Sequence, residues 1–132
     1  MATILIKNGK LVNEGKIEKK DILIINDKID KIADSISHES AEIINAEGKF
    51  VFPGAIDDQV HFREPGLTHK ANIWSESRAA VAGGITTFME MPNTIPNALT
   101  QELLEDKYKI ASESSLANYS FFMGASNENI EE

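Results

Sequence analysis

Between Ile56 and Gly66 the chain reads IDDQVHFREPG, which sets Asp57, Gln59, His61 and Arg63 at alternate positions. On a strand, side chains alternate with period two, so all four are expected to share one face. Four hydrogen-bonding groups on one face of a strand otherwise built for burial suit a ligand set at the C-terminal mouth of a β/α barrel, where enzymes of that fold keep their active sites. The competing reading is a strand end running into a solvated loop. That reading accounts for Arg63 and Glu64 but poorly for Asp57 and Gln59. A second segment, ITTFMEMPNT, carries Pro92 and Asn93 just past its apolar run. Such a pair is ordinarily only a turn, but it is expected to fall at the same rim as Arg63. His38 and His69 read as surface-loop residues.

The elements that must carry these residues follow from periodicity and turn chemistry. The first fifty residues read as short Ile-rich strands: Thr3 to Lys7 and Lys10 to Val12 around an Asn8-Gly9 hairpin turn, then Asp21 to Ile25 and Lys28 to Ile32 around Asn26-Asp27. Ala41 to Ile44 and Lys49 to Phe52 complete an antiparallel meander that Pro53-Gly54 closes. Beyond Pro53 the period changes. Ala55 to His61, Ile85 to Met91 and Asn118 to Met123 read as strands, Ala71 to Ala82 as a helix stopped by Gly83-Gly84, and Thr100 as the N-cap of a helix reaching about Glu113. Leu103, Leu104, Tyr108 and Ala111 mark its apolar face, and Ser126 to Glu132 reads as the start of a third helix.

Strands recurring at intervals of about thirty residues with helices between them are the signature of βαβ units around a parallel sheet. The expected fold class is therefore α/β: residues 1-52 as a small antiparallel β-sandwich segment, and residues 53-132 as the first three strands and two helices of a (β/α)8 TIM-like barrel. A whole barrel needs about 250 residues, so the expectation is the N-terminal portion of a longer protein. A small flavodoxin-like sheet is the alternative.

Composition narrows the function classes. The chain has 132 residues, with 13 Lys+Arg against 21 Asp+Glu and a formal charge of -8. An acidic balance without basic runs argues against nucleic acid or an anionic membrane surface as partner. The absence of cysteine removes disulfides, thiolate nucleophiles and sulfur ligands. No apolar run approaches membrane-spanning length and the charged start does not suit a signal peptide, so a soluble cytoplasmic protein is expected.

Taken together, HFREPG from His61, THK from Thr68, AGG from Ala82, TTF from Thr86 and MPNT from Met91 resemble the start of a dihydroorotase of the amidohydrolase superfamily. The resemblance runs over nearly the whole chain. It implies that Asp57, Gln59 and His61 occupy the family's Asp-x-His-x-His pattern, whose two histidines bind zinc. His61 is the second of these histidines, and Gln59 replaces the first. An amide oxygen is a hard, weak ligand for zinc. The resemblance thus implies one or two Zn²⁺ ions in the whole protein, with the first position weakened. By the same resemblance Arg63 and Asn93 hold the substrate carboxylate, a role that suits a planar, permanently charged guanidinium. Allantoinases generally carry another residue at the Arg63 position.

The implied activity is reversible hydrolysis of the cyclic amide of dihydroorotate to N-carbamoyl-aspartate, in de novo pyrimidine biosynthesis, by water activated on the metal. The general acid/base is implied to lie on a late barrel strand, so no catalytic residue is expected within these residues and the segment alone is expected to be inactive. Two other readings remain: an allantoinase or hydantoinase-like cyclic amidase, and a non-catalytic dihydroorotase-like scaffold subunit, which Gln59 motivates. The implied partners are the small-molecule substrate, and a second copy or another enzyme of the pathway.

Overall fold

A computed structural model describes residues 2–131, which form two units, one ending at Pro53 and one beginning at Gly54. In the first unit, β1 (Thr3–Asn13), β2 (Lys16–Ile25), β3 (Lys28–Ala33), β4 (Glu42–Asn45) and β5 (Phe50–Val51) form one five-stranded sheet. β1, β2 and β3 are joined by tight hairpins, and Asn26, at φ 58°, serves the second. The first hairpin turns at Glu14-Gly15, both with positive φ (49° and 73°), as a type I′ turn requires. Asn8-Gly9 is not a turn. It is a bulge inside one continuous β1, where Asn8 takes φ 63° and the register with β2 slips between Ile6 and Gly9.

The expected antiparallel sandwich is also corrected, because β4 and β5 both run parallel to β1 in a single mixed sheet. The cause is the segment between Asp34 and Ala41. It crosses over the sheet and buries Ile36 against Leu5 and Leu23, instead of turning back as a hairpin. Asp21 fastens it, accepting from the Ile36 amide at 2.9 Å and the Asn8 amide at 2.8 Å, while Lys7 Nζ donates to the Ile36 carbonyl at 3.0 Å.

The second unit is a three-stranded parallel sheet in the order β6 (Ala55–Val60), β7 (Ile85–Glu90), β8 (Asn118–Phe121). Helix α1 (Ile73–Ala82) joins the first pair and α2 (Gln101–Ser114) the second. Among the described residues the strand order follows the chain, without the reversal of a doubly wound sheet. Both helices begin with a side-chain cap. Asn72 accepts from the Ser75 amide at 2.8 Å, and Thr100 accepts from the Leu103 amide at 3.3 Å, each satisfying an otherwise orphaned donor.

Phe62, Ile73, Phe88, Ala111, Ala117 and Phe121 form the core, with Leu104 and Tyr108 of α2 packed on it. The Phe62 and Phe88 rings are 4.5 Å apart. No helix follows Ser126 among the described residues. Residues 125–131 are turns organised by Asn129, whose side chain accepts from the Ser126 amide at 2.6 Å and donates to the Leu99 and Gly124 carbonyls at 2.7 and 2.8 Å.

Candidate functional site

The carboxyl ends of β6 and β7 feed two loops, residues 61–72 and 91–100, that pack on each other. The Ile95 amide donates to the Pro65 carbonyl at 3.2 Å, and a Cβ on Gly66 (φ 83°) would collide with the Ile95 carbonyl oxygen. Only glycine fits this close approach. His61 and Asn93 meet across the two loops, with His61 Nδ1 3.0 Å from Asn93 Oδ1. With the amide oxygen as acceptor, Nδ1 carries the proton and Nε2 keeps its lone pair free for a ligand. That tautomer is the one a metal-ligating imidazole adopts when its other nitrogen is held by an acceptor.

The single-face arrangement expected for Asp57, Gln59, His61 and Arg63 is corrected in two respects. The β6–β7 register slips by one residue between Asp57 and Val60, so unbroken alternation does not run from Asp57 to Arg63. The strand ends at Val60, which leaves His61 and Arg63 in the loop. Beyond the slip, alternation resumes: Val60 and Phe62 pack into the core, and Gln59 and His61 are exposed on the other side. Asp57 Oδ1 accepts from the Gln59 amide at 3.2 Å. Arg63 is half-buried in the left-handed region at φ 70°, and among the described residues its guanidinium makes no ion pair. His69 is exposed, while His38 in the first unit is half-buried instead of lying on the surface.

Two buried charged residues near this rim lie outside the sequence expectation. Glu90 ends β7 and Lys107 sits in α2; both side chains are 1% exposed, with Lys107 Nζ 2.9 Å from Glu90 Oε2. The two therefore form a close, buried ion pair. Glu90 Oε1 accepts from the Arg63 amide at 2.9 Å, and Lys107 Nζ donates to the Met91 carbonyl at 3.0 Å. Burial raises the Glu90 carboxyl above its ordinary range, against the opposing pull of Lys107 and the Arg63 and Phe62 amides. Burial likewise lowers the Lys107 ammonium, although Glu90 opposes it. A signal for both residues exists in the sequence. Lys107 falls in the apolar stripe Leu104, Tyr108, Ala111, and Glu90 is two residues beyond the core residue Phe88.

Glu64 fixes the other flank, its Oε2 accepting from the Ile73 amide at 2.9 Å at the start of α1. A carboxylate there satisfies an orphaned donor and suits the positive end of the helix dipole. A cavity of about 210 Å³ beside Asn93 is lined by Pro92, Asn97, Leu99, Gly124 and Ala125. A larger one, about 370 Å³, between Pro65, Pro96 and the outer side of α2 touches none of the candidate residues.

As a zinc site the residues present fit only in part. His61 offers an imidazole whose Nδ1 is engaged by Asn93, Gln59 offers a neutral amide, and among the described residues no three His, Cys, Asp or Glu side chains gather as a ligand cluster. Zinc usually takes three or four protein ligands.

Parallel strands linked by helices, with imidazole, amide and guanidinium groups just past their carboxyl ends, make this an α/β unit with a polar carboxyl-end rim. The chain belongs to the dihydro-orotase-like family, whose profile matches residues 48–129. It is 48% identical over 116 residues to a dihydroorotase of Lactococcus lactis subsp. lactis (strain IL1403), covering 86% of this chain and 27% of that protein. It is 52% identical over 95 residues to a dihydroorotase of Carboxydothermus hydrogenoformans (strain ATCC BAA-161 / DSM 6008 / Z-2901), covering 70% and 22%. Among solved structures it resembles the L-hydantoinase (dihydropyrimidinase) of Arthrobacter aurescens, with a TM-score of 0.91 and 33% identity over 98% of this chain and 29% of the other. The chain thus spans about a quarter of the length of these curated relatives. Among the described residues no helix is long and apolar enough to cross a membrane.

Proposed function

We propose that this chain is the N-terminal part of a zinc-dependent dihydroorotase, which hydrolyses the cyclic amide of dihydroorotate reversibly to N-carbamoyl-aspartate in pyrimidine biosynthesis. In this reading residues 1-52 are an accessory β segment and residues 53-132 open a (β/α)8 barrel. The observation that carries it is the meeting of the two rim loops, with His61 bonded to Asn93 at 3.0 Å, while Arg63 on the first of these loops has no ion pair among the described residues.

Each residue has a role that its geometry supports. Asn93 uses its oxygen on His61, which leaves its NH₂ to donate to the substrate carboxylate. Arg63 supplies the charged, bidentate half of the same clamp. His61 contributes Nε2 to zinc; Gln59 is a poor second donor. When bound, zinc lowers the pKa of water and polarises the amide carbonyl. In this reading the general acid/base comes from a later barrel strand, and the segment alone is inactive.

The test is dihydroorotate hydrolysis by the longer protein, with and without Arg63→Ala. Loss of a charged, bidentate contact is expected to lower kcat/KM roughly 100-fold. Retained activity in the variant overturns the clamp. Likeness to a solved hydantoinase favours a second reading, a cyclic amidase of that kind, and turnover of hydantoin or allantoin without dihydroorotate selects it. A zinc-free, inactive longer protein selects instead a scaffold subunit, the reading Gln59 motivates.

A further inference from the structure

The geometry points to the buried Glu90–Lys107 pair as the positioning device of the carboxylate clamp, an inference that rests on the dihydroorotase reading above. The pair reaches both loops at once. Glu90 Oε1 holds the Arg63 amide at 2.9 Å, and Lys107 Nζ holds the Met91 carbonyl at 3.0 Å, two residues before Asn93. One charge contact of 2.9 Å, sealed at 1% exposure on each side, therefore ties the backbone that presents Arg63 to the backbone that presents Asn93.

Arg63 needs such a restraint. At φ 70° it occupies a conformation that side-chain-bearing residues rarely adopt unless the surroundings enforce it. The Glu90 carboxylate sits where it can enforce that turn, by accepting the amide that the turn presents. Stability is a weak reason for keeping the pair, because apolar residues of similar volume commonly serve a fold as well as a buried ion pair does. What an apolar pair cannot do is fix an amide and a carbonyl from two separate loops. Glu90 and Lys107 thus act through Arg63 and Asn93 and need not touch substrate.

The experiment compares the longer protein with its Glu90→Leu/Lys107→Met variant, which removes both charges at similar volume. Because the clamp grips the substrate carboxylate equally before and during reaction, its loosening is expected to raise KM for dihydroorotate about tenfold with kcat within about twofold. A merely structural role lowers the active fraction, and so kcat, at unchanged KM. Glu90→Gln, which keeps an acceptor for the Arg63 amide but loses the charge pair, is expected to fall between the two and serves if the double variant does not fold. Unchanged KM in these variants overturns the proposal. Hydrogen exchange of the Arg63 amide supplies a readout independent of turnover, expected to accelerate about tenfold or more in the double variant. If the wild-type protein does not turn over dihydroorotate, the functional reading fails on its own, and the exchange rate still decides the positioning role.

Discussion

At the scale of single residues, Asp21 shows how one buried carboxylate can organise a crossover. Burial alone raises its pKa, but the Asn8 and Ile36 amides and Lys7 together outweigh burial and hold the carboxyl below its ordinary 3.8. A carboxyl lowered in the folded state contributes stability above its unfolded pKa. That contribution is lost as pH falls through the folded value. The urea midpoint of the first unit is therefore expected to drop as pH falls below about 4. Asp21→Asn should remove that part of the pH dependence and cost about 1–3 kcal/mol at neutral pH, since an NH₂ would then face a backbone N–H. A variant with wild-type pH dependence would show that other groups carry the acid response. Asn8 also illustrates why single residues mislead: an Asn-Gly pair reports only tolerance of positive φ, which a bulge uses as readily as a hairpin.

At the scale of elements, what could be read from sequence was what local chemistry decides. Thr100 caps α2, Gly83-Gly84 ends α1, and β6, β7 and β8 fall where the apolar runs lie, because caps, stops and runs involve near neighbours. The parallel pairing of β4 and β5 with β1 was hidden, since it depends on the path of residues 34–41 across the sheet. The pairing of Glu90 with Lys107 was hidden too, although each stands on an otherwise apolar face, because it joins the end of β7 to the core side of α2. Its energetics can be measured as a cycle. Removing one partner, by Glu90→Leu or Lys107→Met, strands a buried charge and is expected to cost about 3–5 kcal/mol, whereas the double variant should cost less than the sum of the two, keeping a loss of about 1–3 kcal/mol from the unpaired Arg63 amide and Met91 carbonyl. Additive losses in denaturant unfolding would mean the two side chains stabilise the fold separately.

At the scale of the whole molecule the question is where a metal centre would be completed. Type and spacing single out Asp57, Gln59, His61 and Arg63, the family resemblance adds Asn93, and the structure joins His61 to Asn93 directly. A ligand set could not be completed from spacing, because it draws on side chains from several strands. Among the described residues His61 has no cluster around it, and the chain covers only 27% and 22% of its dihydroorotase relatives. Metal content is therefore a property to measure on the longer protein. Gln59 and His61 are both exposed on the side away from Val60 and Phe62, so a histidine at position 59 would stand next to His61 in the alternation. Gln59→His replaces a weak neutral oxygen with an imidazole. It is expected to raise tightly held zinc by about one ion per chain after exhaustive dialysis, read by elemental analysis. Unchanged zinc would mean that this strand does not limit metal binding, and would remove Gln59 as a reason to regard the protein as a scaffold.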